Sequence, residues 1–148
     1  MTSQKPRAVG INHVALEVGD IEEALEFYGS FLEFSLRSKS ETMAFIDLGD
    51  QFIALSKVST RPKDNERHFG LVVDDKEAVG AILKEKGIEI VSDRFMDFYD
   101  PWGNRIEIIG YQNIQFSKTD GVLHGMGLTD LEKTEGALKE LADKGMSL

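Results

Sequence analysis

The sequence predicts an α+β fold made of two βαβββ modules, followed by a C-terminal amphipathic helix. The first observation is an internal repeat, since residues 13–20 (HVALEVGD) align with residues 68–75 (HFGLVVDD). Two of the three histidines of the chain, His13 and His68, coincide in this alignment. The second observation is that each copy opens with a β-branched run typical of a strand and continues with the spacing of an amphipathic helix. The polar residues 58–67 (VSTRPKDNER) are predicted to connect the two copies.

Each module is predicted to begin with a strand that leads into a capped helix. Side chains alternate along a strand, so His13 and His68 both lie opposite the continuous aliphatic face of their strands. Asp20 and Asp75 are placed to cap the following helices with their carboxylates. Gly87 is typical of the residue that ends such a helix.

Three shorter strands complete each module, with turns at Gly49–Asp50 and at Asp100–Asn104. The predicted strands are 11–18, 34–38, 42–48 and 50–57 in the first module and 68–74, 88–91, 94–99 and 105–111 in the second. The modules therefore span 8–57 and 68–111, within a single domain at 8–111. A length of 148 residues fits one such domain.

Residues 112–148 form a C-terminal extension that the repeat does not cover. Residues 112–126 have no regular pattern, whereas 128–145 have the apolar stripe of a helix that ends at Gly145. Thr129 and Glu132 have the spacing of a capping box at its start. This helix is expected to cover either its own sheet or a second subunit.

Composition narrows the classes of partner. The chain has 17 Lys and Arg against 26 Asp and Glu, for a net charge of −9, which disfavours nucleic acid and anionic membranes. It has no Cys, which excludes disulfides, thiolate nucleophiles and cysteine zinc sites. No apolar run approaches the roughly 18 residues of a membrane helix, and residues 1–10 lack the apolar centre of a signal peptide. We interpret the chain as a cytoplasmic protein that binds small molecules or other proteins.

Three residues are candidates for metal chemistry: His13, His68 and Glu107. Glu107 lies between two isoleucines on a predicted strand, where a carboxylate is costly to bury unless it is paired or bound to a cation. Two imidazoles and one carboxylate are the ligands of open non-haem iron sites and also serve catalytic zinc. Taken singly, each residue is more typical of an ordinary surface or core position than of a metal ligand. The repeat favours the metal site, because a pseudo-twofold pair of modules would bring equivalent strands together.

The same segments resemble the vicinal oxygen chelate superfamily, which includes glyoxalases, extradiol dioxygenases, fosfomycin-modifying enzymes and bleomycin-binding proteins. The resemblance covers 8–111 and is carried by residues 11–18 (INHVALEV), 68–75 (HFGLVVDD) and, most specifically, 100–108 (DPWGNRIEI). It implies that the strands curl into a curved, half-open mixed β-barrel with the helices outside. It also implies a divalent metal ion bound by His13, His68 and Glu107.

Glyoxalase-like members add a carboxylate from the fourth strand, and this chain departs from that pattern. The repeat offset from Glu107 leads to Phe52, with Ala54 next on the same face, and neither can bind a metal. The resemblance therefore favours an extradiol-dioxygenase-like enzyme with Fe or Mn, in which a catechol and oxygen take the open positions. Two alternatives stay open: a glyoxalase, lyase or isomerase using Zn, Ni or Co as a Lewis acid, and a metal-free drug-binding protein of the bleomycin resistance type.

A dioxygenase also needs a general base within hydrogen-bond reach of the substrate. The candidates are Tyr99, which shares a strand face with Asp97, and His124, in the segment after the second module. Tyr99 is equally typical of a surface strand residue, and His124 is more typical of an exposed loop residue. Arg105 is placed either to steady an anionic group of the substrate or to be solvated at the end of its strand.

The predicted ligand is a small molecule with an aromatic group. Four aromatic residues are candidate walls of its cavity, although each also suits ordinary packing: Phe45, Phe52, Phe95 and Tyr111. Trp102, in a predicted turn, is expected to be exposed or to contact the C-terminal helix. The resemblance further implies a homodimer.

Overall fold

The computed structural model describes residues 5, 10–92 and 94–148, which form seven strands and four helices. In chain order these are β1 His13–Val18, α1 Ile21–Gly29, β2 Leu36–Lys39, β3 Met43–Asp47, β4 Phe52–Lys57, β5 Phe69–Val73, α2 Lys76–Glu85, β6 Met96–Tyr99, β7 Arg105–Gly110, α3 Asp120–Gly125 and α4 Glu135–Asp143. The predicted start of the domain at residue 8 and most of the segment 1–10 lie outside the described residues.

The strands form two sheets, one from each module. The first sheet has the order β1-β4-β3-β2 and the second has the order β5-β7-β6. In each sheet the first and last strands of the module pair in parallel, and the remaining pairs are antiparallel. The two modules therefore repeat one topology, and the predicted α+β fold with open sheets is confirmed.

The prediction of a strand at 88–91 is wrong, so the second sheet has three strands. This segment makes one backbone hydrogen bond to β6, from Val91 N–H to the carbonyl of Asp97 (2.8 Å). The next amide, that of Ser92, donates to the side-chain carboxylate of Asp97 (3.0 Å) and not to a backbone carbonyl of β6. Ile90 and Val91 are 39% and 44% exposed, so pairing here would bury little apolar surface.

The predicted helix caps at Asp20 and Asp75 are confirmed. The Asp20 carboxylate accepts the amide of Glu23 (2.8 Å), and the Asp75 carboxylate accepts the amide of Ala78 (3.0 Å). These bonds satisfy amide groups that have no partner inside the first turn of a helix. Each capped helix packs on one face of its own sheet, and we call the opposite face, which carries His13 in the first sheet and Glu107 in the second, the open face.

The two modules share one hydrophobic core. Phe98 of β6 is fully buried, and its ring packs edge-to-face on Phe31 (centroids 5.4 Å apart) and beside Phe27 (6.3 Å). Phe27 and Phe31 belong to the α1 region of the first module. The modules are therefore joined through the layer that holds the helices.

The turn Asp100–Asn104, which we call the interface turn, also joins the modules. Asp100 is buried, and its carboxylate accepts the amides of Trp102 (3.0 Å) and Asn104 (2.9 Å), the side-chain amide of Asn104 (2.7 Å) and the hydroxyl of Tyr28 (2.7 Å). The Asn104 side chain also donates to the carbonyl of Glu17 in β1 (2.9 Å). The ring of Trp102 covers Gly19, where a Cβ would lie 2.4 Å from the indole nitrogen. Trp102 therefore packs against the first module and is partly buried.

Tyr28 gives a prediction about alkaline unfolding. Burial raises the pKa of its phenol well above the ordinary value, and the neighbouring Asp100 carboxylate raises it further. In the unfolded chain the phenol ionises near pH 10, so its stabilising contribution is complete below about pH 10 and is lost as the pH rises above it. We expect Tyr28→Phe to cost about 1–3 kcal/mol at pH 7 and to remove an alkaline decline of up to about 1.4 kcal/mol per pH unit.

Urea unfolding between pH 7 and 11 measures both effects. Tyr99→Phe is the control, because its hydroxyl bonds to a backbone carbonyl, that of Asp64, and not to a carboxylate. The control should keep the alkaline decline of the wild type. Equal declines in wild type and Tyr28→Phe would contradict the prediction.

The C-terminal extension differs from its prediction at both helices. Residues 112–126 contain the unpredicted helix α3, and α4 begins at Glu135 with Thr134 as its N-cap, so the capping box at Thr129 is wrong. The segment before α4 is held outside a helix by a backbone bond from Thr134 N–H to the carbonyl of Gln112 (2.9 Å). The side chain of the preceding residue, Lys133, reinforces this arrangement.

The ammonium of Lys133 donates hydrogen bonds to three backbone carbonyls. It donates to the carbonyls of Tyr111 and Ile114 (both 2.7 Å) and of Phe116, and it lies 3.6 Å from the centroid of the Tyr111 ring. Burial lowers the pKa of this lysine. These contacts fold the extension onto its own chain, as does the burial of Leu123 and Leu141. In the part of the chain that the structure describes, no helix is long and apolar enough to cross a membrane.

Candidate metal site

The predicted ligands lie on the open faces of the two sheets. On β1, Leu16 and Val18 are buried towards the helices, whereas His13 lies on the opposite face and is exposed. On β7, Glu107 lies on the open face between Ile106 and Ile108, which are buried. The predicted orientation of His13 is therefore confirmed.

His68 and Glu107 form a pair on the second sheet. His68 precedes β5, and its Nε2 lies 3.6 Å from Oε2 of Glu107. Its Nδ1 lies 2.9 Å from the carbonyl of Glu66, which can only accept a hydrogen bond, so Nδ1 carries the proton. Nε2 then presents a lone pair beside a carboxylate. An imidazole oriented in this way by a second oxygen is the usual form of a histidine metal ligand.

His13 has the same type of support on the first sheet. Its Nδ1 lies 2.9 Å from Oδ1 of Asn12 and donates to it, which leaves Nε2 as the lone-pair nitrogen. Its ring stacks on Phe52 of β4, with centroids 4.7 Å apart and an interplanar angle of 7°. In both histidines, therefore, Nδ1 is directed to an oxygen and Nε2 is the nitrogen left available to a cation.

One chain does not bring the three residues together. His13 is on the first sheet, whereas His68 and Glu107 are on the second, and the described residues contain no group of three or more His, Cys, Asp or Glu side chains that could hold a metal. The modules of one chain meet at α1, β6 and the interface turn. Their open faces consequently do not enclose a common site.

Asp97 and Arg105 form an ion pair next to Glu107, which sequence reasoning missed. Asp97 is opposite Glu107 in the register of β6 and β7 and is only 3% exposed. Its carboxylate accepts Nε (2.9 Å) and Nη2 (2.5 Å) of Arg105, and this hydrogen bonding raises the pKa of the guanidinium. Arg105 is therefore paired with Asp97 and keeps 19% of its side chain exposed. The ion pair could have been predicted only from the strand register, which places Arg105 diagonally across from Asp97.

The two candidate bases are separate from the pair. Tyr99 shares the face of Asp97, as predicted, but its hydroxyl donates to the carbonyl of Asp64 (2.8 Å), and Lys63 covers its ring at 4.0 Å. It thereby holds the connector between modules. His124 lies in the last turn of α3 with an exposed side chain that makes no hydrogen bond within the described residues. A catalytic role for either remains a prediction.

Two of the four predicted aromatic wall residues lie on the open face of the first sheet. Phe45 packs edge-on to Phe52, with centroids 5.6 Å apart. Phe95 is 50% exposed on the segment leading into β6, and Tyr111 is buried under Lys133 in the extension. The aromatic surface on the open face beside His13 is therefore formed by Phe52, with Phe45 next to it.

Strand register corrects the predicted equivalent of Glu107. Glu107 pairs with Gly70 in the second sheet, and the residue paired with the corresponding Ala15 in the first sheet is Ala54, not Phe52. The second module is two residues shorter between these strands, which shifts the offset. Ala54 has no ligand atom, so the first sheet still supplies no carboxylate at this position.

Comparisons with known proteins agree with this architecture. A family model described as the Glyoxalase/Bleomycin resistance protein/Dioxygenase superfamily matches residues 10–108. Metallothiol transferase FosB of Staphylococcus epidermidis is 27% identical over 112 residues (66% of this chain, 79% of FosB). Glutathione transferase FosA of Serratia marcescens is 26% identical over 110 residues (66% and 78%).

A solved structure of the fosfomycin resistance protein FosX from Listeria monocytogenes superposes with a TM-score of 0.60 at 15% identity and covers 70% of this chain and 94% of FosX. At this identity the likeness concerns the fold. FosX has also been crystallised with Mn(II) and sulfate.

Proposed function

Because the chain belongs to the glyoxalase/bleomycin resistance protein/dioxygenase superfamily, we propose that it is a divalent-metal-dependent enzyme acting on a small molecule. The proposed ligands are His13, His68 and Glu107. The observation that carries the proposal is the state of the two imidazoles, each of which donates Nδ1–H to an oxygen and presents Nε2. Two such imidazoles and a carboxylate match the donors of open divalent-metal sites.

The proposed site is assembled from two copies of the chain. The open face of the first sheet of one copy would meet the open face of the second sheet of the other. His13 of the partner subunit would then complete the pair of His68 and Glu107. Two features support this homodimer: the donors lie on the open faces, and the modules of a single chain are already joined through the helix layer.

The proposed reaction is transfer of a thiol to a small electrophile. FosB and FosA are named as thiol and glutathione transferases, and they are the relatives that support this class. When bound, a divalent ion would supply Lewis-acid polarisation of a substrate oxygen. The chain itself contributes the orientation of the ligands, through Asn12 and Glu66, and the aromatic side chain of Phe52 stacked on His13. We propose Mn²⁺ as the first ion to test.

Extradiol ring cleavage is the second candidate. It is favoured by Ala54 and Phe52, which leave the site with three protein ligands. Three ligands leave room for both an aromatic diol and oxygen. Such a substrate would also suit the aromatic pair Phe45 and Phe52.

Loading the full chain with Mn²⁺ or Fe²⁺ tests these functions. We expect the wild type to bind one ion per chain. The affinity of Glu107→Gln should be more than about 100-fold lower, because loss of a direct ligand weakens metal binding more than loss of a residue that only orients a ligand. Lys139→Ala is the control, because that lysine pairs with Asp143 on the surface of α4. Consumption of glutathione with fosfomycin would support transfer, and oxygen uptake with catechol would support ring cleavage. Equal and weak binding of ions by wild type and Glu107→Gln would instead indicate the metal-free binding protein.

A further inference from the structure

We propose that Phe52 and the C-terminal extension are positioning elements for His13, linked to it through the turn between β3 and β4. The extension follows the residues matched by the family model. This inference deepens the proposed function and rests on it only in treating His13 as a metal ligand. Three sets of contacts carry it.

The first set holds the ring of His13. This side chain is exposed, and its hydrogen bond goes to the neighbouring residue Asn12. The parallel stack on Phe52 at 4.7 Å is the contact that connects the ring to the rest of the sheet. Removal of the Phe52 ring would free the imidazole to rotate about its side-chain bonds, because one bond to an adjacent exposed residue does not fix a ring.

The second set links Phe52 to the β3–β4 turn. The guanidinium carbon of Arg37 lies 4.7 Å from the centroid of the Phe52 ring. Arg37 donates from Nε to Asp47 (2.9 Å) and from Nη2 to the carbonyls of Gly49 and Gln51 (both 3.2 Å). The position of Arg37 over Phe52 is therefore set by the backbone of the turn.

The third set joins the turn to the extension. Gly49 has φ +89°, and a Cβ there would lie 2.6 Å from Sδ of Met126 and 3.3 Å from a methyl of Val122, so α3 packs directly on the turn. The side chain of Lys118, only 9% exposed, pairs with Asp50, and its hydrogen bond lowers the pKa of that carboxyl. We call these contacts the α3–turn contact. Through it the extension restrains the carbonyls that hold Arg37.

The combined effect is a supporting shell for a metal ligand. Residues that orient a ligand without touching the metal change its affinity by about 10- to 100-fold when they are replaced. Phe52 contacts His13 directly and should fall in that range. The α3–turn contact acts through two intermediate residues, for which changes of about 3- to 30-fold are typical.

The experiment compares three changes in the full chain: Phe52→Leu, Phe52→Tyr and the double change Asp50→Asn with Met126→Ala. The first readout is the NMR position of the His13 ring protons in metal-free protein, which the stacked Phe52 ring shifts upfield. The second readout is the affinity for Mn²⁺ alone. Lys139→Ala is the matched control, since its ion pair lies in the extension but away from the turn.

We expect Phe52→Leu to remove the upfield shift and to weaken Mn²⁺ binding about 10- to 100-fold, and Phe52→Tyr to restore both. The double change should reduce the shift and weaken binding about 3- to 30-fold, while Lys139→Ala leaves both unchanged. Unchanged His13 shifts in Phe52→Leu or in the double change would overturn the proposal. If wild-type protein binds no Mn²⁺ but the shifts change as expected, the positioning stands and the proposed metal enzyme fails.

Discussion

A mixture of the His13→Ala and His68→Ala variants is expected to regain about a quarter of the wild-type metal sites, because a twofold dimer pairs complementary faces of its subunits. Each variant alone should bind metal more than about 100-fold more weakly than wild type. In a mixed dimer one site lacks both histidines and the other retains His13, His68 and Glu107. Random reassociation makes about half of the dimers mixed, with one intact site in each.

The measurement is the amount of tightly bound Mn²⁺ after the two variants are dissociated and reassociated together. The matched control is a mixture of His68→Ala and Glu107→Gln. Both changes lie on the second sheet, so no exchange of subunits produces an intact site, and binding should stay at the level of the single variants.

Two results would contradict the two-copy site. Recovery in both mixtures would mean that the variants retain partial sites of their own. Absence of recovery in the first mixture, with confirmed mixed dimers, would mean that the three ligands do not come from two copies. The structure motivates this test because the open faces of one chain do not meet.

The largest loss of stability is expected from Asp100→Ala in the interface turn, at about 3–5 kcal/mol. The carboxylate of Asp100 accepts four hydrogen bonds, two from backbone amides and one each from the side chains of Tyr28 and Asn104. An alanine leaves three of these donors without a partner in a buried place, because the Asn104 side chain keeps its bond to the carbonyl of Glu17. Each such donor costs at least about 1 kcal/mol. The loss would affect both modules, because Tyr28 belongs to the first and Asn104 to the second.

Urea unfolding at pH 7 measures this change. Asp75→Ala is the control, since its carboxylate accepts one amide at an exposed helix start, and its loss should cost about 1 kcal/mol. Similar losses in the two variants would show that the interface turn contributes no more than an ordinary helix cap.

Much of the fold could be predicted because its signals are local. The alternation around His13 and His68 and the capping positions of Asp20 and Asp75 depend on neighbours within a few residues. The strand predicted at 88–91 failed because Asp97, which accepts the amide of Ser92, acts from another strand. The start of α4 was placed wrongly because the side chain of Lys133 holds carbonyls about 20 residues earlier in the chain.

The candidate site was predictable in its residues and not in its assembly. The repeat identifies His13 and His68, and the motif around Glu107 identifies the carboxylate. The pairing of Asp97 with Arg105 depends on strand register, and the joining of the modules depends on how Phe98 packs against α1. These are long-range contacts that a single sequence does not encode as a pattern.

The hydrogen bond between Tyr28 and Asp100 has no counterpart at the position that the internal repeat aligns with Tyr28. The internal repeat aligns Tyr28 with Leu83, whose fully buried aliphatic side chain makes no hydrogen bond. A tandem of two identical modules would therefore lack this polar connection. The two modules contribute different side chains to this connection, so a single-module version of this chain would need a different means of holding its copies together.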